Sequence, residues 1–270
     1  MLHKIFKQGN HLLVYCFYRA VFALVLFFIC GNHNAYSQDL SDTDQQTAIM
    51  QYTLKYRFGK DLKVGDWAKY TAMSGANESI IELKVTSTEE GNLWIEEKTN
   101  GADIHYLINP QQMKLIKITG TDGNGEKIDI TPMSDEKLSG ILEMFNTQIK
   151  QQGSFAQFVA WTKGTGSEDV ITPAGSFSCF FLQPEFSEMY AGQIKTYEES
   201  LRAQGKSEEE IHKAIYDQVP RLYFNEDVPK LLPFNIAIGW MPWIEAFEGI
   251  EEGLVECRHM APLKLTGYNK

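Results

Sequence analysis

Cys257 and His259 are the two residues of this 270-residue chain best placed for chemistry. They sit two apart on a strand-like run and would share one face, where a thiolate and an imidazole can hold zinc or act as nucleophile and base. No third partner stands at ligand spacing, which favours ordinary packing of both. His105, on a predicted strand, and His212, on a predicted helix face, stand outside any such pattern. Asp122, Asn124 and Glu126 imitate the opening of a calcium loop, but Lys127 replaces its glycine and Met133 its closing glutamate. TGTDGNG therefore reads as a glycine-rich turn. Gly164 and Gly166 flank a threonine with no lysine in phosphate-loop register, and no G-x-S-x-G occurs. The residues nominate no catalytic set, no metal and no cofactor; the expectation is a protein that is not an enzyme.

A different signal comes from Pro233 to Ile250, PFNIAIGWMPWIEAFEGI. Phe234, Ile236, Ile238, Trp240, Met241, Trp243, Ile244 and Phe247 crowd a segment that two prolines keep irregular. If exposed, the patch would bind or cover an apolar ligand; if buried, it plugs the core. The second reading is favoured, and a plug still marks where a ligand would enter. Phe234, Trp240, Met241, Trp243 and Phe247 are the candidate ligand-binding residues.

The elements that would position them are mostly strands. Ile49 to Phe58 fits both helical and alternating patterns; SDTD ahead of it favours a helix. WAKYTAM, Ile81 to Val85, Leu93 to Glu96, Ile104 to Ile108, MKLIKI and EKIDI follow as short strands. Glu90-Gly91-Asn92, Asn100-Gly101 and Asn109-Pro110 punctuate them, the spacing of an antiparallel meander. Ser134 caps a helix with Leu138, Ile141, Leu142, Phe145 and Ile149 on one stripe, ended by Gly153. Phe155, Phe158 and Val159 suggest a further helical turn. After VITPAGSFSCFF, read as a strand opening at Pro-Ala-Gly, Tyr190, Ile194, Tyr197 and Leu201 mark a helix that stops at Gly205. Ser207-Glu208-Glu209-Glu210 is a capping box for a short helix before Pro220. Residues 187–218 thus form an αα-hairpin. RLYFNE, GLVECRHM and LKLTGY return to strand, and one sheet closed by these C-terminal strands is expected.

The N-terminus supplies an address. Lys4, Lys7 and Arg19 precede AVFALVLFFIC, no acidic residue occurs before Asp39, and Ala35-Tyr36-Ser37 offers a cleavage site before Gln38. A retained anchor, Leu12 to Cys30, is the competing reading, with Arg19 interrupting it. Cleavage would take three basic side chains and no acidic one, so 25 basic and 35 acidic residues become 22 and 35, a net charge of −13. Such a surface repels phosphate backbones, which excludes nucleic acid as a partner. It would also leave Cys179 and Cys257 as the two remaining cysteines, either bonded in an oxidising compartment or buried as thiols.

Several stretches together carry a resemblance. LKVGDWAKY, the Pro-Ala-Gly strand at Pro173, EDVP (Glu226 to Pro229), GLVE (Gly253 to Glu256) and LKLTGY resemble secreted bacterial domains similar in fold to the lipoprotein carriers LolA and LolB. That resemblance implies an α+β fold, a strongly curved antiparallel half-barrel wrapped around helices, with an apolar cavity for an acyl chain. The hairpin at 187–218 and the insert at 233–250 depart from that plan. The expected organisation is a signal at 1–37, an N-terminal segment at 38–59 and one domain over 60–270. The expected function is exported and carrier-like, binding a lipid or other apolar molecule; the alternative is a structural or protein-interaction module of the envelope that docks through the hairpin.

Overall fold

The structure is a computed structural model that describes residues 42–270 except 75–76, 100, 152–157, 187, 216–218, 235–236, 238–240 and 259–261. The expected signal at 1–37 and its expected cleavage site lie outside the described residues. The chain divides into two compact units at Gln45/Gln46, and the second, Gln46–Lys270, carries the architecture. No helix among the described residues is long and apolar enough to cross a membrane.

Among the described residues, twelve strands form one antiparallel sheet and four α-helices accompany it, which is an α+β fold. Helix α1 (Asp42–Arg57) resolves the ambiguous opening run in favour of helix. The meander follows as β1 (Trp67–Ser74), β2 (Asn77–Glu89), β3 (Asn92–Thr99), β4 (Ala102–Asn109), β5 (Lys114–Thr121) and β6 (Lys127–Ile130). Its turns obey their residues: Glu90 and Gly91 both take positive φ, the conformation a tight hairpin demands. Asp122 accepts hydrogen bonds from the amides of Asn124 and Glu126, so the calcium-like sequence is a self-capped turn. Those backbone bonds hold its carboxyl below the usual range.

Helix α2 (Asp135–Gln151) starts at Ser134, whose hydroxyl accepts from the amide of Lys137. Phe158–Lys163 is then strand β7, not a helical turn; it pairs along the second half of β9 (Gly175–Phe186). The stretch VITPAGSF is also not one strand. Strand β8 (Glu168–Thr172) and the first half of β9 make a hairpin about Pro173-Ala174, with Thr172 opposite Gly175. Helices α3 (Glu188–Ala203) and α4 (Glu208–Ile215) lie between β9 and β10 (Arg221–Asn225). A short 3-10 helix (Met241–Phe247), β11 (Gly253–Arg258) and β12 (Leu263–Asn269) complete the chain.

The sheet order is β6-β5-β4-β3-β2-β1-β12-β11-β10-β9-β7. The last strand therefore joins the first, through β1 against β12, and two meanders merge into one surface. That surface is open, because β6 and β7 end it; the C-terminal strands extend the sheet and do not close it. One face buries Tyr70, Leu83, Ile95, Tyr106, Leu222 and Leu265. Strand β8 lies against β11 and β12 on the other face, which is why β11 is buried along nearly its whole length.

Register decides the cysteines. Cys257 stands opposite Leu222, itself opposite Leu182, whereas Phe181, two residues from Cys179, stands opposite Tyr223 and hence Glu256. Adjacent residues of a strand point to opposite faces, so the two thiols lie on opposite sides of the sheet. Both are buried and neither is disulfide-bonded. The candidate disulfide between Cys179 and Cys257 is therefore not formed, and of the two states the sequence leaves open the structure has the buried thiols. Burial, with Glu256 nearby, pushes the Cys179 thiol up to about 12, and a protonated thiol is a poor nucleophile. Alkylation of the native chain at neutral pH is expected to label neither Cys179 nor Cys257. After unfolding it should label both, equally with and without reductant; a requirement for reductant would contradict the register.

Candidate functional site

The most heavily built polar cluster sits where α1 meets the sheet. Period-two alternation along β3 puts Leu93, Ile95 and Glu97 on the core side, so an acid arrives in the interior with only 3% of its surface exposed. Arg57, at the end of α1, is fully buried and reaches it: Nη2 lies 2.5 Å from Glu97 Oε2. Tyr106 donates its hydroxyl to the same oxygen at 2.9 Å, and the amide of Phe234 donates to Oε1 at 2.8 Å. Arg57 Nε donates to the carbonyl of Leu232, and its guanidinium lies over the rings of Phe58, Tyr106 and Phe234. Burial opposes the charge on Arg57, but Tyr106 and Glu97 outweigh it and raise its pKa. Burial likewise pushes the Tyr106 hydroxyl above its ordinary value.

This hub fixes the segment ahead of the aromatic insert. Leu232 donates its amide to Arg57 O, Gly59 donates to Lys230 O, and Tyr70 donates its hydroxyl to Leu231 O. Gly253 closes the other side. Its amide bonds to Val228 O, and a Cβ there would stand 2.4 Å from Pro229 O, so only glycine admits this approach. Val228–Leu232 is therefore clamped between α1, the sheet and the start of β11.

The insert follows as core. Phe247 and Ile244 are buried, Phe234 is half-buried against the core, and Phe247 meets Phe224 edge-on at 5.8 Å. Tyr52 of α1 donates to Glu245 on the 3-10 helix. Met241 and Trp243 belong to that helix, while Trp240 lies outside the described residues. Of the five candidate ligand-binding residues, Phe234 and Phe247 are thus placed in one core cluster. A void of about 10 Å³ lies between Tyr56, Phe224, Leu231, Phe247 and Leu254. That is room for a single water.

A larger space is polar. A cleft of about 210 Å³ opens beside the end of α1, lined by Asp61, Asp66, Glu226, Glu251, Glu252 and Lys230 among others. Lys230 is nearly buried, donates to Ile250 O, and is held below its usual pKa by that burial. The lining contains no serine, cysteine or histidine. Cys257 is packed in β11, and His259 lies outside the described residues, so their pairing has no geometry to describe.

The helical pair is the remaining feature. Ser207 and Glu210 make the reciprocal capping box, the amide of Glu210 donating to Ser207 Oγ and that of Ser207 to Glu210 Oε2. Arg202 binds Glu208 through two nitrogens, and Lys206 pairs with Glu210. Leu201 and Ile211 are buried, yet most of both helices is exposed, including 43% of Tyr197. Tyr197, predicted on the apolar stripe, faces solvent.

Sequence reasoning missed the Arg57–Glu97 hub. The signal was present, since continuing the β3 alternation one step past Ile95 puts Glu97 inside. Comparison with protein-family models, with curated proteins and with solved structures finds no match. The class that can be stated is the fold itself, an α+β protein built on one open antiparallel sheet.

Proposed function

We propose that this chain is an exported, non-catalytic module of the cell envelope that docks a protein partner through the arm formed by α3 and α4. The observation that carries the reading is the contrast between the arm and the core. The core face of the sheet is filled by the chain's own α1, Val228–Leu232 and Phe247. The arm holds its shape through its own caps and ion pairs and leaves Tyr197 in solvent. An exposed aromatic ring on a chain of net charge −10 suits a partner with an apolar pocket rimmed by basic side chains.

In this reading the sheet curves around α1 in the manner of the lipoprotein-carrier half-barrel, and the arm is an insert in that plan. A carrier of an acyl chain needs a hollow, and the apolar void beside Phe247 has room for one water. Docking needs none. Excising α3 and α4 tests the proposal: the folded sheet should survive and the partner should be lost. Retained co-purification after excision would remove the arm from the account.

A further inference from the structure

Three ligand-type side chains meet on the solvent face of the first meander, away from the arm and the cleft. Glu96 on β3 stands directly opposite His105 on β4, and Lys98 stands opposite Asp103. The donor atoms of Glu96, Asp103 and His105 lie within 4.8 Å of one another, and all three residues are half-buried. Asp103 Oδ1 is shut off from solvent and accepts no hydrogen bond among the described residues, although His105 Nε2 stands 3.0 Å away. Two donors that close without a hydrogen bond have the spacing of neighbouring ligands around one ion. Bonds of about 2.1 Å at the tetrahedral angle zinc prefers place their ligands roughly 3.4 Å apart, slightly wider than this 3.0 Å pair and inside the 4.8 Å span of the three donor atoms. The position already attracts positive charge. Lys98 Nζ lies 2.7 Å from Glu96 Oε1 and 3.8 Å from Asp103 Oδ2.

We infer that Glu96, Asp103 and His105 form a binding site for a divalent cation of the zinc class, for which the Lys98 ammonium is the built-in competitor. One imidazole and two carboxylates suit zinc and its neighbours better than magnesium or calcium, which favour all-oxygen sets. Three protein ligands leave coordination positions for water. Lys98 is half-exposed on a flexible stem and can swing toward Glu82, the residue opposite it on β2. The bound ion would tie β3 to β4 across their shared hairpin.

The test is calorimetric titration of the untagged, EDTA-treated chain with Zn²⁺ alone. One site per chain is expected, weakened by at least ~10–100-fold in His105→Ala and in Asp103→Asn, since that is the usual cost of losing a residue that merely orients a ligand. Lys98→Gln should bind at least about five- to tenfold more tightly, because a positive charge about 4 Å away costs roughly 1 kcal/mol per unit charge even at the dielectric of bulk water. These side chains lie on the wet face, so the circular dichroism of each variant should match that of the parent chain. Absence of one-site binding in the parent, or affinity unchanged by His105→Ala, would overturn the inference. Weaker binding in Lys98→Gln would also overturn it, by making the lysine a support of the site instead of its competitor.

Discussion

Glu97→Leu is expected to lower the stability of the chain by about 3–5 kcal/mol, the cost of leaving a buried charge without its partner. Arg57 would remain fully buried with its cation facing a methyl group, and the Tyr106 hydroxyl and Phe234 amide would each lose their acceptor. A domain is stabilised by only about 5–15 kcal/mol in all, so the loss should be plain in the midpoint of urea unfolding. The double variant Arg57→Met with Glu97→Leu should recover the part due to the unpaired cation, since an apolar pair of similar volume can replace a buried ion pair at little cost, while the Tyr106 hydroxyl and Phe234 amide stay without their acceptor. If Glu97→Leu does not accumulate as folded protein, the double variant still reports. A single variant within 1 kcal/mol of the parent would show that the hub contributes little.

The second large effect concerns binding. Replacing Glu188–Ile215 by a short turn is expected to abolish partner binding while changing stability by only about 1 kcal/mol, or roughly 2–4 °C in melting temperature. The geometry explains the tolerance. Strands β9 and β10 are antiparallel neighbours, with Phe180 opposite Phe224 and Leu182 opposite Leu222. The arm therefore extends a hairpin whose strands already lie side by side, and a tight connection can join them. Its capping and ion-pair contacts, Ser207 with Glu210 and Arg202 with Glu208, lie within the arm and leave with it. Melting of the excised form tens of degrees lower would mean that the arm supports the sheet.

The strands of the first meander were legible because each turn carries its own chemistry and each strand alternates over a few residues. Helices α3 and α4 were legible for the same local reason, the second through the Ser207–Glu210 box. What local pattern cannot hold is long-range pairing. That β12 lies beside β1, and that Cys179 and Cys257 face opposite ways, follow from register carried across several strands. Phe158 and Val159, at the start of β7, read as a helical turn because a short apolar run shows no clear period, and the paired residues of β9 lie 19 to 28 positions on. Pro173 looked like the start of a strand. It is the tip of a hairpin, since Val170 folds back to stand opposite Phe177. The filled interior was half legible: the insert was recognised as core material, but the buried ion pair that anchors it was overlooked, because a single acid inside an alternating strand reads as surface.

Native mass spectrometry of the gently purified chain tests the central claim most directly. The account predicts the mass of the polypeptide alone or joined to a protein partner, with no lipid at stoichiometric level, because Phe247, Leu231 and α1 occupy the core face. A stoichiometric acyl lipid that survives transfer to the gas phase and leaves only on unfolding would contradict it.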